Sequence, residues 1–212
     1  MSTMLQDCCL VQFAKAPVPG QVKTRLGAVL SEQNCADLHR ALVEHVFWRQ
    51  WRGRVAHQEL WYSSPHPFFD ELAEQTGVTL RHQGNGDLGE RMSFAFCDRL
   101  ADYTRVVLIG SDCPALDTSY VRSAFEALDD VPVVLGPASD GGYVLLGLKT
   151  HLPTLFTEMP WGTERVLNET RRRLRGIGYS WRELSELPDI DRPEDLSQLH
   201  SYETLNFFAV NI

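Results

Sequence analysis

The sequence predicts a single α/β domain built in three layers, with a mixed, mainly parallel β-sheet between two layers of helices. Short apolar segments rich in valine, leucine and aromatic residues alternate along the chain with amphipathic patterns of helical period. This alternation is the element order of an α/β fold. One of these segments, "VVLIG" at 106–110, is apolar throughout, which is typical of a central strand buried on both faces.

Length and charge limit the kinds of protein that this chain can be. With 212 residues it is long enough for one sizeable core, so we expect one domain over 1–212. The net charge of −8 argues against nonspecific nucleic-acid binding, which relies on a basic surface. Any anionic ligand must therefore be held by a local group of cations.

The sequence shows no targeting or membrane segment. It has no apolar run of about 18 residues, the length that a transmembrane helix needs, and its first residues lack the cationic and long apolar regions of a signal peptide. The five cysteines form no C-x-x-C pair, which favours reduced thiols. We expect a cytoplasmic protein.

Six strands are predicted, at 8–14, 59–64, 78–83, 105–111, 131–137 and 142–148. Apolar residues at helical spacing predict three helices between them, around Leu38–Val46, Leu88–Phe96 and Val121–Leu128. A further helix is predicted from Thr163 to about Arg175, where Gly176 and Gly178 end it. In open α/β sheets, ligands bind outside the carboxyl ends of the strands, so the segments that follow the strands are the candidate site.

The segment after the first strand, "PVPGQVKTRL" at 17–26, is rigid and cationic. It is not a P-loop, because only two residues separate Gly20 from Lys23. Gly20, which follows Pro19, permits close approach of the backbone to a ligand, and Lys23 and Arg25 can bind phosphate oxygens. We interpret the loop as a pyrophosphate clamp; the alternative is a solvated loop whose cations decorate the surface.

The segment "GSDCP" at 110–114 places Asp112 at the tip of a predicted buried strand. From there a carboxylate faces the cleft, where it can coordinate a hard cation such as Mg²⁺ or Mn²⁺. The alternative is a helix N-cap or an Asx turn before Pro114.

Two later segments also carry acidic residues. In "GPASDGGYVLLGL" at 136–148, Asp140 can act as a base or accept a hydrogen bond from a sugar hydroxyl, and a tight Asp-Gly hairpin turn is the alternative. In "LPDIDRPEDL" at 187–196, Asp191 can be a second carboxylate on a metal. Alternatively, Asp191 can N-cap a C-terminal helix, with Glu194 as its capping-box partner.

One motif favours a different class of protein. "GNGDLG" at 84–89 matches G-x-G-x-x-G between a predicted strand and a helix, and the next strand ends in an acid at roughly the spacing of a ribose-binding residue. However, the motif comes third in the chain rather than first, after the polar strand end "LRHQ". A dinucleotide fold would also leave "PVPGQVKTRL" and "DIDRPEDL" without a role, so NAD binding is disfavoured.

Taken in order, six segments resemble the nucleotide-diphospho-sugar transferase-like proteins: "PVPGQVKTRL", "GDLGERM", "IGSDCPALD", "GPASDGGYVLLGL", "MPWGTERVL" and "DIDRPEDL". More narrowly, they resemble the bacterial glycosyltransferases described as radical-SAM/selenodomain-associated, some of which are linked to arsenosugar biosynthesis. The resemblance runs from about Leu10 to Leu196. Each motif alone is weak, and their order makes the combination specific.

The resemblance implies a GT-A type fold in which the first loop binds the nucleotide phosphates through Lys23 and Arg25. In this superfamily the aspartate after the fourth strand binds a divalent metal that bridges the donor diphosphate, which points to Asp112. A second ligand near the end of the domain completes that site, which points to Asp191. The implied cofactor is Mg²⁺ or Mn²⁺.

The resemblance also assigns the remaining candidate residues. Relatives hold the nucleobase and ribose at the position of "QGNGDLGERM", which points to Gly84, Gly86 and Asp87 as nucleotide-binding residues. An acceptor would dock near "SDGGY" and "MPWGTE", with candidate contacts at Gly141, Gly142, Tyr143 and Trp161, although Trp161 can equally belong to the core. Asp140 is the candidate catalytic residue and Glu164 is the alternative, although Glu164 also suits the first turn of a helix.

The leading interpretation is a metal-dependent glycosyltransferase acting on a nucleotide-sugar donor and a small-molecule acceptor. One departure concerns the metal, because "SDC" has a single aspartate where many GT-A enzymes carry Asp-x-Asp. The related guanylyl- and cytidylyltransferases share the first loop, so a nucleotidyltransferase that releases pyrophosphate is the second interpretation. A nucleotide-binding regulator without catalysis is the third. The nucleobase, sugar, acceptor, stereochemical outcome and oligomeric state do not follow from the sequence.

Overall fold

A computed structural model describes residues 4–209 of the chain. Its strands are β1 (Cys8–Ala14), β2 (His57–Tyr62), β3 (Thr79–His82), β4 (Arg105–Ile109), β5 (Val133–Pro137), β6 (Tyr143–Leu148) and β7 (Trp181–Glu183). Its α-helices are α1 (Glu32–Gly53), α2 (Pro67–Thr76), α3 (Leu88–Arg99), α4 (Thr118–Asp130), α5 (Val166–Gly176) and α6 (Asn206–Ala209). Short 3-10 segments lie at Thr24–Leu26, Pro153–Leu155 and Pro193–Ser201.

The seven strands form one mixed sheet in the order β3-β2-β1-β4-β6-β5-β7. Only β6 is reversed, and it pairs antiparallel with both β4 and β5. All other pairs are parallel. Helices α1, α2 and α4 pack on one face of the sheet, and α3 and α5 pack on the other. The predicted three-layer α/β fold with a mixed, mainly parallel sheet is therefore confirmed.

Some element boundaries differ from the sequence prediction for physical reasons. The helix predicted from Thr163 begins at Val166, because Thr163 Oγ1 donates to the Pro160 carbonyl at 2.7 Å and holds the preceding residues in a turn. Glu164 therefore precedes the helix. Strand β7 was not predicted, since it has only three residues and lies at the sheet edge.

Two properties of the described residues bear on the expected environment. No helix among residues 4–209 has both the length and the apolar content needed to cross a membrane. All five cysteines are free thiols, and four of them are buried. Burial raises the pKa of the Cys9 thiol, with the nearby Glu59 carboxylate adding to the effect, so these thiols act as apolar packing groups.

Candidate functional site

The segments that follow β1, β4 and β5 lie at one edge of the sheet, as expected for a site at the carboxyl ends of strands. Strands β1, β4 and β5 run in the same direction, so their carboxyl ends meet at one edge. The Ser111 hydroxyl ties two of these ends together, because it donates to the Phe13 carbonyl at 2.7 Å and accepts from Gln12 Nε2 at 3.0 Å. Asp112, the next residue, is thereby fixed beside the loop that follows β1.

Lys23 joins the first loop to both acidic segments. Its Nζ lies 2.5 Å from Asp112 Oδ1 and donates to the Ile190 carbonyl at 2.5 Å. The side chain is only 3% exposed. The Lys23 backbone has a φ of 50°, a left-handed conformation that is costly for a non-glycine residue and is often found at functional sites. The Lys23 side chain is therefore held inside the protein by specific contacts and is not a solvated surface cation.

Arg25 makes the second connection, an ion pair with Asp191. Half of the Arg25 side chain remains exposed, so part of its guanidinium is free to meet a ligand. The expectation that Asp191 caps a helix with Glu194 is wrong. The segment after Pro193 is a 3-10 helix, and Asp195 accepts from the backbone N–H groups of Asp191 at 3.0 Å and Arg192 at 2.7 Å.

The two oxygens of Asp112 have different surroundings. The side chain is 49% exposed overall, whereas Oδ1 itself is buried, so Oδ2 is the oxygen that can meet a ligand. Burial by itself raises the pKa of this carboxyl, but the Lys23 ammonium and then the His39 ring outweigh it and hold the pKa well below its usual range. Asp112 is therefore ionised at neutral pH, as a metal ligand must be.

His39 is a site residue that the sequence prediction missed. It lies on α1 with 4% of its side chain exposed, and its Nδ1 is 3.6 Å from Asp112 Oδ1. Its Nε2 is 3.1 Å from the Lys15 carbonyl. His39 stands three, four and seven residues before Leu42, Val43 and Val46, on the apolar face of the helix. A polar residue within that face was the signal available in the sequence.

Asp140 forms the tight Asp-Gly hairpin turn that was the alternative to its role as a base or sugar-hydroxyl acceptor. Its Oδ1 accepts from the Gly142 N–H at 2.8 Å, in the tight connection between β5 and β6. Gly141 has a φ of 87°, and a Cβ there would lie 2.4 Å from the Glu164 carbonyl oxygen. This turn therefore brings Asp140 and Glu164 to the same cavity.

Asp189 is a second residue that the prediction missed. It faces a group of carboxylates: burial and then Asp140, Asp112 and Asp191 raise its pKa to about 6, although its own backbone N–H opposes the shift. The pattern Asp-Ile-Asp held the signal, because Ile190 is fully buried and the aspartates on either side of it line the cavity.

An open cavity of about 790 Å³ extends from this edge of the sheet. Its walls come from the β5–β6 turn, the segment before α5 and the C-terminal acidic segment, with charged residues Arg25, Asp140, Glu164, Arg165, Asp189, Asp191, Arg192, Glu194 and Asp195. The volume is that of a small-molecule pocket.

The donor chemistry of this edge suits a hard divalent cation in part. Asp112 and Asp191 offer carboxylate oxygens, the ligands that Mg²⁺ and Mn²⁺ prefer. Among residues 4–209, however, no three His, Cys, Asp or Glu side chains are grouped closely enough to hold a metal ion. The remaining ligands would therefore come from the bound diphosphate and water, as Mg²⁺ commonly accepts in phosphate sites.

The other predicted nucleotide-binding residues, apart from Lys23 and Arg25, lie in two exposed turns. Gly20 has a φ of 76° in the turn that it forms with Pro19. Gly84 and Gly86 also have positive φ, at 87° and 93°. Asp87 caps α3, since its side chain accepts from the Glu90 N–H at 2.9 Å.

The turn that holds Gly84 and Gly86 is tied to the first loop. Gln83 is buried, and its Nε2 donates to the carbonyls of Ala14 at 3.2 Å and Trp61 at 2.8 Å. Ala14 is the last residue of β1. The turn is therefore fixed beside the start of the cationic loop.

The predicted acceptor residues divide into two groups. Gly141 and Gly142 form the turn at the cavity. Tyr143 and Trp161 are partly buried and pack against the core, with their rings 6.4 Å apart edge to face. Trp161 also approaches Gly89, where a Cβ would lie 2.6 Å from its Nε1. The structure thus favours the core role that the sequence analysis left open for Trp161.

The fold and the charged edge of the sheet place this protein in one class, the proteins with the nucleotide-diphospho-sugar transferase fold. Its similarity to known structures supports this. A candidate nucleotide-diphospho-sugar transferase from Desulfovibrio desulfuricans G20 is 28% identical, with a TM-score of 0.85 over 98% of this chain and 94% of that chain. Residues 46–163 match the family DUF2064, described as "Uncharacterized protein conserved in bacteria". The chain belongs to this family.

Two more distant structures show the same fold. A cytidylyltransferase from Leptospira borgpetersenii is 15% identical, with a TM-score of 0.58 over 93% of this chain and 88% of that chain. Glucosyl-3-phosphoglycerate synthase from Mycobacterium tuberculosis, in complex with Mn²⁺, UDP and glucosyl-3-phosphoglycerate, is 12% identical, with a TM-score of 0.52 over 96% and 79%. No curated protein matches the chain in sequence.

Proposed function

We propose that the protein is a metal-dependent glycosyltransferase that moves a sugar from a nucleoside-diphosphate sugar to a small acceptor. One observation carries the proposal: two cations of the first loop, Lys23 and Arg25, are each paired with a carboxylate, Asp112 and Asp191. The second pair lines a cavity of about 790 Å³. The 28% identical candidate nucleotide-diphospho-sugar transferase supports it.

In this proposal the paired charges bind the donor diphosphate. Lys23 Nζ and the exposed part of the Arg25 guanidinium donate to phosphate oxygens, and such charge-assisted bonds are strong. A divalent cation held by Asp112 and Asp191 would neutralise charge on the departing nucleoside diphosphate. As the bond between the sugar and the diphosphate oxygen breaks, its electron pair stays on that oxygen, and Lys23 and Arg25 stabilise the negative charge there.

The remaining nucleotide contacts are proposed at the two exposed turns. The positive-φ glycines Gly20, Gly84 and Gly86 let the backbone approach the phosphates and the base closely. Pro19 stiffens the first turn, and Asp87 lies at the end of the second. The buried amide of Gln83, which ties the second turn to β1, supports a shared ligand for these segments.

The acceptor is proposed to occupy the cavity between the Gly141–Gly142 turn and the C-terminal acidic segment. Glu164 lines it, and its side chain has no hydrogen bond or ion pair to any residue within 4–209. Asp140 lines it too, with one oxygen engaged by the Gly142 N–H. Either carboxylate can take the proton from an acceptor hydroxyl, and the free side chain of Glu164 makes it the stronger candidate base.

A nucleotidyltransferase is the second candidate, because two cations on one loop can equally hold the phosphates of a nucleoside triphosphate. The acceptor's phosphate oxygen would then attack the α-phosphorus, and pyrophosphate would leave. Release of pyrophosphate from a triphosphate separates the two functions. A nucleotide-binding regulator would bind tightly without turnover.

The first test is a thermal-shift screen of nucleoside mono-, di- and triphosphates and nucleotide sugars, each with and without Mn²⁺. A ligand that binds the folded state raises the melting temperature by mass action. A metal-dependent shift with one nucleotide sugar is the expected result, and it would name the donor. A shift with a triphosphate alone would favour nucleotidyl transfer, and no shift with any compound would overturn both. Turnover of that donor with arsenic-containing acceptors would test membership of the arsenosugar-linked branch.

A further inference from the structure

Two arginines line the cavity without a partner for their side chains. Arg165 lies directly before α5, and Arg192 lies in the C-terminal acidic segment. Within residues 4–209, neither guanidinium group has a hydrogen bond, an ion pair or an aromatic ring as its partner. Both residues are exposed, and both belong to the walls of the space proposed for the acceptor. Their positive charges are therefore available to a ligand in this space.

Most other arginines of the chain are paired. They are held by a carboxylate, a main-chain carbonyl or an aromatic ring, as Arg25, Arg49 and Arg175 are. In the part of the chain that the structure describes, only Arg54 and Arg122 also have no such partner, and neither lines this cavity. Half of the arginines without a partner therefore lie on one cavity.

The backbone at both cavity arginines is fixed, although their side chains are free. The Arg165 N–H donates to Thr163 Oγ1 at 3.3 Å, and the Arg165 carbonyl accepts from the Glu169 N–H at 2.9 Å. The Arg192 N–H donates to Asp195 Oδ2 at 2.7 Å, and the Arg192 carbonyl accepts from the Asp195 N–H at 3.0 Å. A ligand would therefore have to order only the two side chains, which lowers the cost of binding.

Three carboxylates of the cavity wall already have other partners. Asp195 accepts from two backbone N–H groups, and Asp191 is paired with Arg25. Asp140 Oδ1 accepts from the Gly142 N–H at 2.8 Å. These carboxylates therefore do not bond to the free guanidinium groups, even though all of them line the same cavity.

Each free arginine directly follows a carboxylate of the proposed site. Arg165 follows Glu164, the candidate base, and Arg192 follows Asp191, the candidate metal ligand. A guanidinium group presents a planar fork of N–H donors that matches the oxygens of a phosphate or a carboxylate. An anionic group bound there would leave the rest of the same molecule within the cavity that Glu164 lines.

We propose that the acceptor is a small hydroxylated anion, with a hydroxyl group that receives the sugar and a phosphate or carboxylate group that Arg165 and Arg192 bind. This inference rests on the proposed function, because it names the acceptor class of that reaction. The two arginines set the specificity of the acceptor site. A neutral polyol lacks the group that they bind and is discriminated against by the difference in affinity.

The test titrates three probes into the protein saturated with Mg²⁺ and with the nucleoside diphosphate found by the thermal-shift screen, so that the first loop is already occupied. Glycerol phosphate carries hydroxyl groups and a phosphate, glycerate carries hydroxyl groups and a carboxylate, and glycerol carries hydroxyl groups alone. Isothermal titration calorimetry gives each dissociation constant. We expect at least one of the two anions to bind about tenfold or more tightly than glycerol, and the tighter anion identifies the charged group.

Arg165→Gln and Arg192→Gln each remove one guanidinium group at an exposed position, so the fold should be kept. We expect each variant to bind the tighter anion about tenfold or more weakly, because hydrogen bonds to charged groups are strong. Arg54→Gln is the matched control. Arg54 is also an exposed arginine whose side chain has no partner within 4–209, and it lies outside the cavity at the end of α1.

The possible failures are distinguishable. If the wild type binds the nucleotide but neither anion binds more tightly than glycerol, the acceptor class is wrong and the proposed function stands. If Arg165→Gln or Arg192→Gln weakens binding of the nucleoside diphosphate instead, that arginine belongs to the donor site and the inference is overturned. If the wild type binds no nucleoside diphosphate, the proposed function fails together with the inference.

Discussion

The Lys23 ammonium lies 2.5 Å from Asp112 Oδ1, so a group proposed to bind phosphate is neutralised by a group proposed to bind a metal. Arg25 and Asp191 form a second ion pair of this kind, and both residues line the cavity. A diphosphate that draws the cations away leaves two carboxylates without partners, and a divalent cation can replace the lost charges. Nucleotide and metal binding should therefore strengthen each other.

Arg25→Ala should weaken binding of the nucleoside diphosphate identified by the thermal-shift screen by about tenfold or more, because a hydrogen bond to a charged group contributes about 1.5–3 kcal/mol. Isothermal titration calorimetry measures this change. Arg182→Ala is the control, since Arg182 pairs with Asp130 on the surface at 3.0 Å. Unchanged affinity in Arg25→Ala would remove Arg25 from the clamp.

Asp112→Asn should abolish the Mn²⁺ dependence of nucleotide binding, because an amide oxygen lacks the charge that holds the cation. Binding without metal should not fall, since Lys23 is released from its carboxylate. Asp117→Asn is the control: Asp117 caps α4, and asparagine caps a helix about as well as aspartate. A surviving Mn²⁺ dependence in Asp112→Asn would place the metal elsewhere.

Gly141→Ala should lower the free energy of unfolding by more than the roughly 1–2 kcal/mol cost of a left-handed backbone at a non-glycine residue. The added Cβ would lie 2.4 Å from the Glu164 carbonyl oxygen. Gly162→Ala is the matched control, because Gly162 also has a positive φ, 74°, and a Cβ added there would meet nothing within 4 Å. Equal costs in urea denaturation would mean that the close contact at Gly141 does not constrain the turn.

Asp87→Ala should lower the free energy of unfolding by about 1 kcal/mol through loss of the helix cap. Asp87→Asn should keep the cap and so the stability. If the carboxylate contacts the nucleotide as proposed, Asp87→Asn will nevertheless bind the nucleotide more weakly. Stability and affinity measured on both variants separate the two roles, and wild-type affinity in Asp87→Asn would leave Asp87 with capping alone.

His45 should make stability fall with acidification. Burial and then the Arg49 guanidinium lower the pKa of His45, although its bond to the Pro114 carbonyl opposes this. The unfolded chain therefore takes up a proton more readily, near the ordinary histidine pKa of about 6.5, and the free energy of unfolding decreases as the pH drops through that range. Urea denaturation from about pH 7.5 to about pH 5.5 should show a shallower decline in His45→Gln, and parallel declines would contradict the assignment.

Local patterns were sufficient for most of the fold. The sequence segments predicted six of the seven strands, and five of these six contain several buried residues in a row. The sixth, β3, has no buried residue. Local patterns could not predict β7, whose three residues pair only at the edge, or the reversal of β6. A strand in the sheet centre has the same apolar pattern in either direction, and the hairpin turn at Asp140 was the only local sign of the reversal.

The location of the candidate site could be predicted from the sequence, but most of its side-chain contacts could not. The rule that ligands bind at the carboxyl ends of strands placed the first loop, Asp112 and the Asp140 turn at one edge of the sheet, where the structure has them. The C-terminal acidic segment was added by the family resemblance. The pairing of Lys23 with Asp112 depends on packing between distant segments, which no spacing in the sequence reveals. For the same reason His39 was missed, since its neighbour Asp112 lies far away in the chain.

The reversed strand β6 also sets the distance between the ends of β4 and β5. It separates the ends of β4 and β5, so the residues that follow them lie two strand spacings apart, or about 9–10 Å. With β4 and β5 adjacent, the two strand ends would be only one spacing apart, or about 4.7–4.9 Å. β6 therefore acts as a spacer that keeps the segments after β4 and β5 apart at this edge of the sheet.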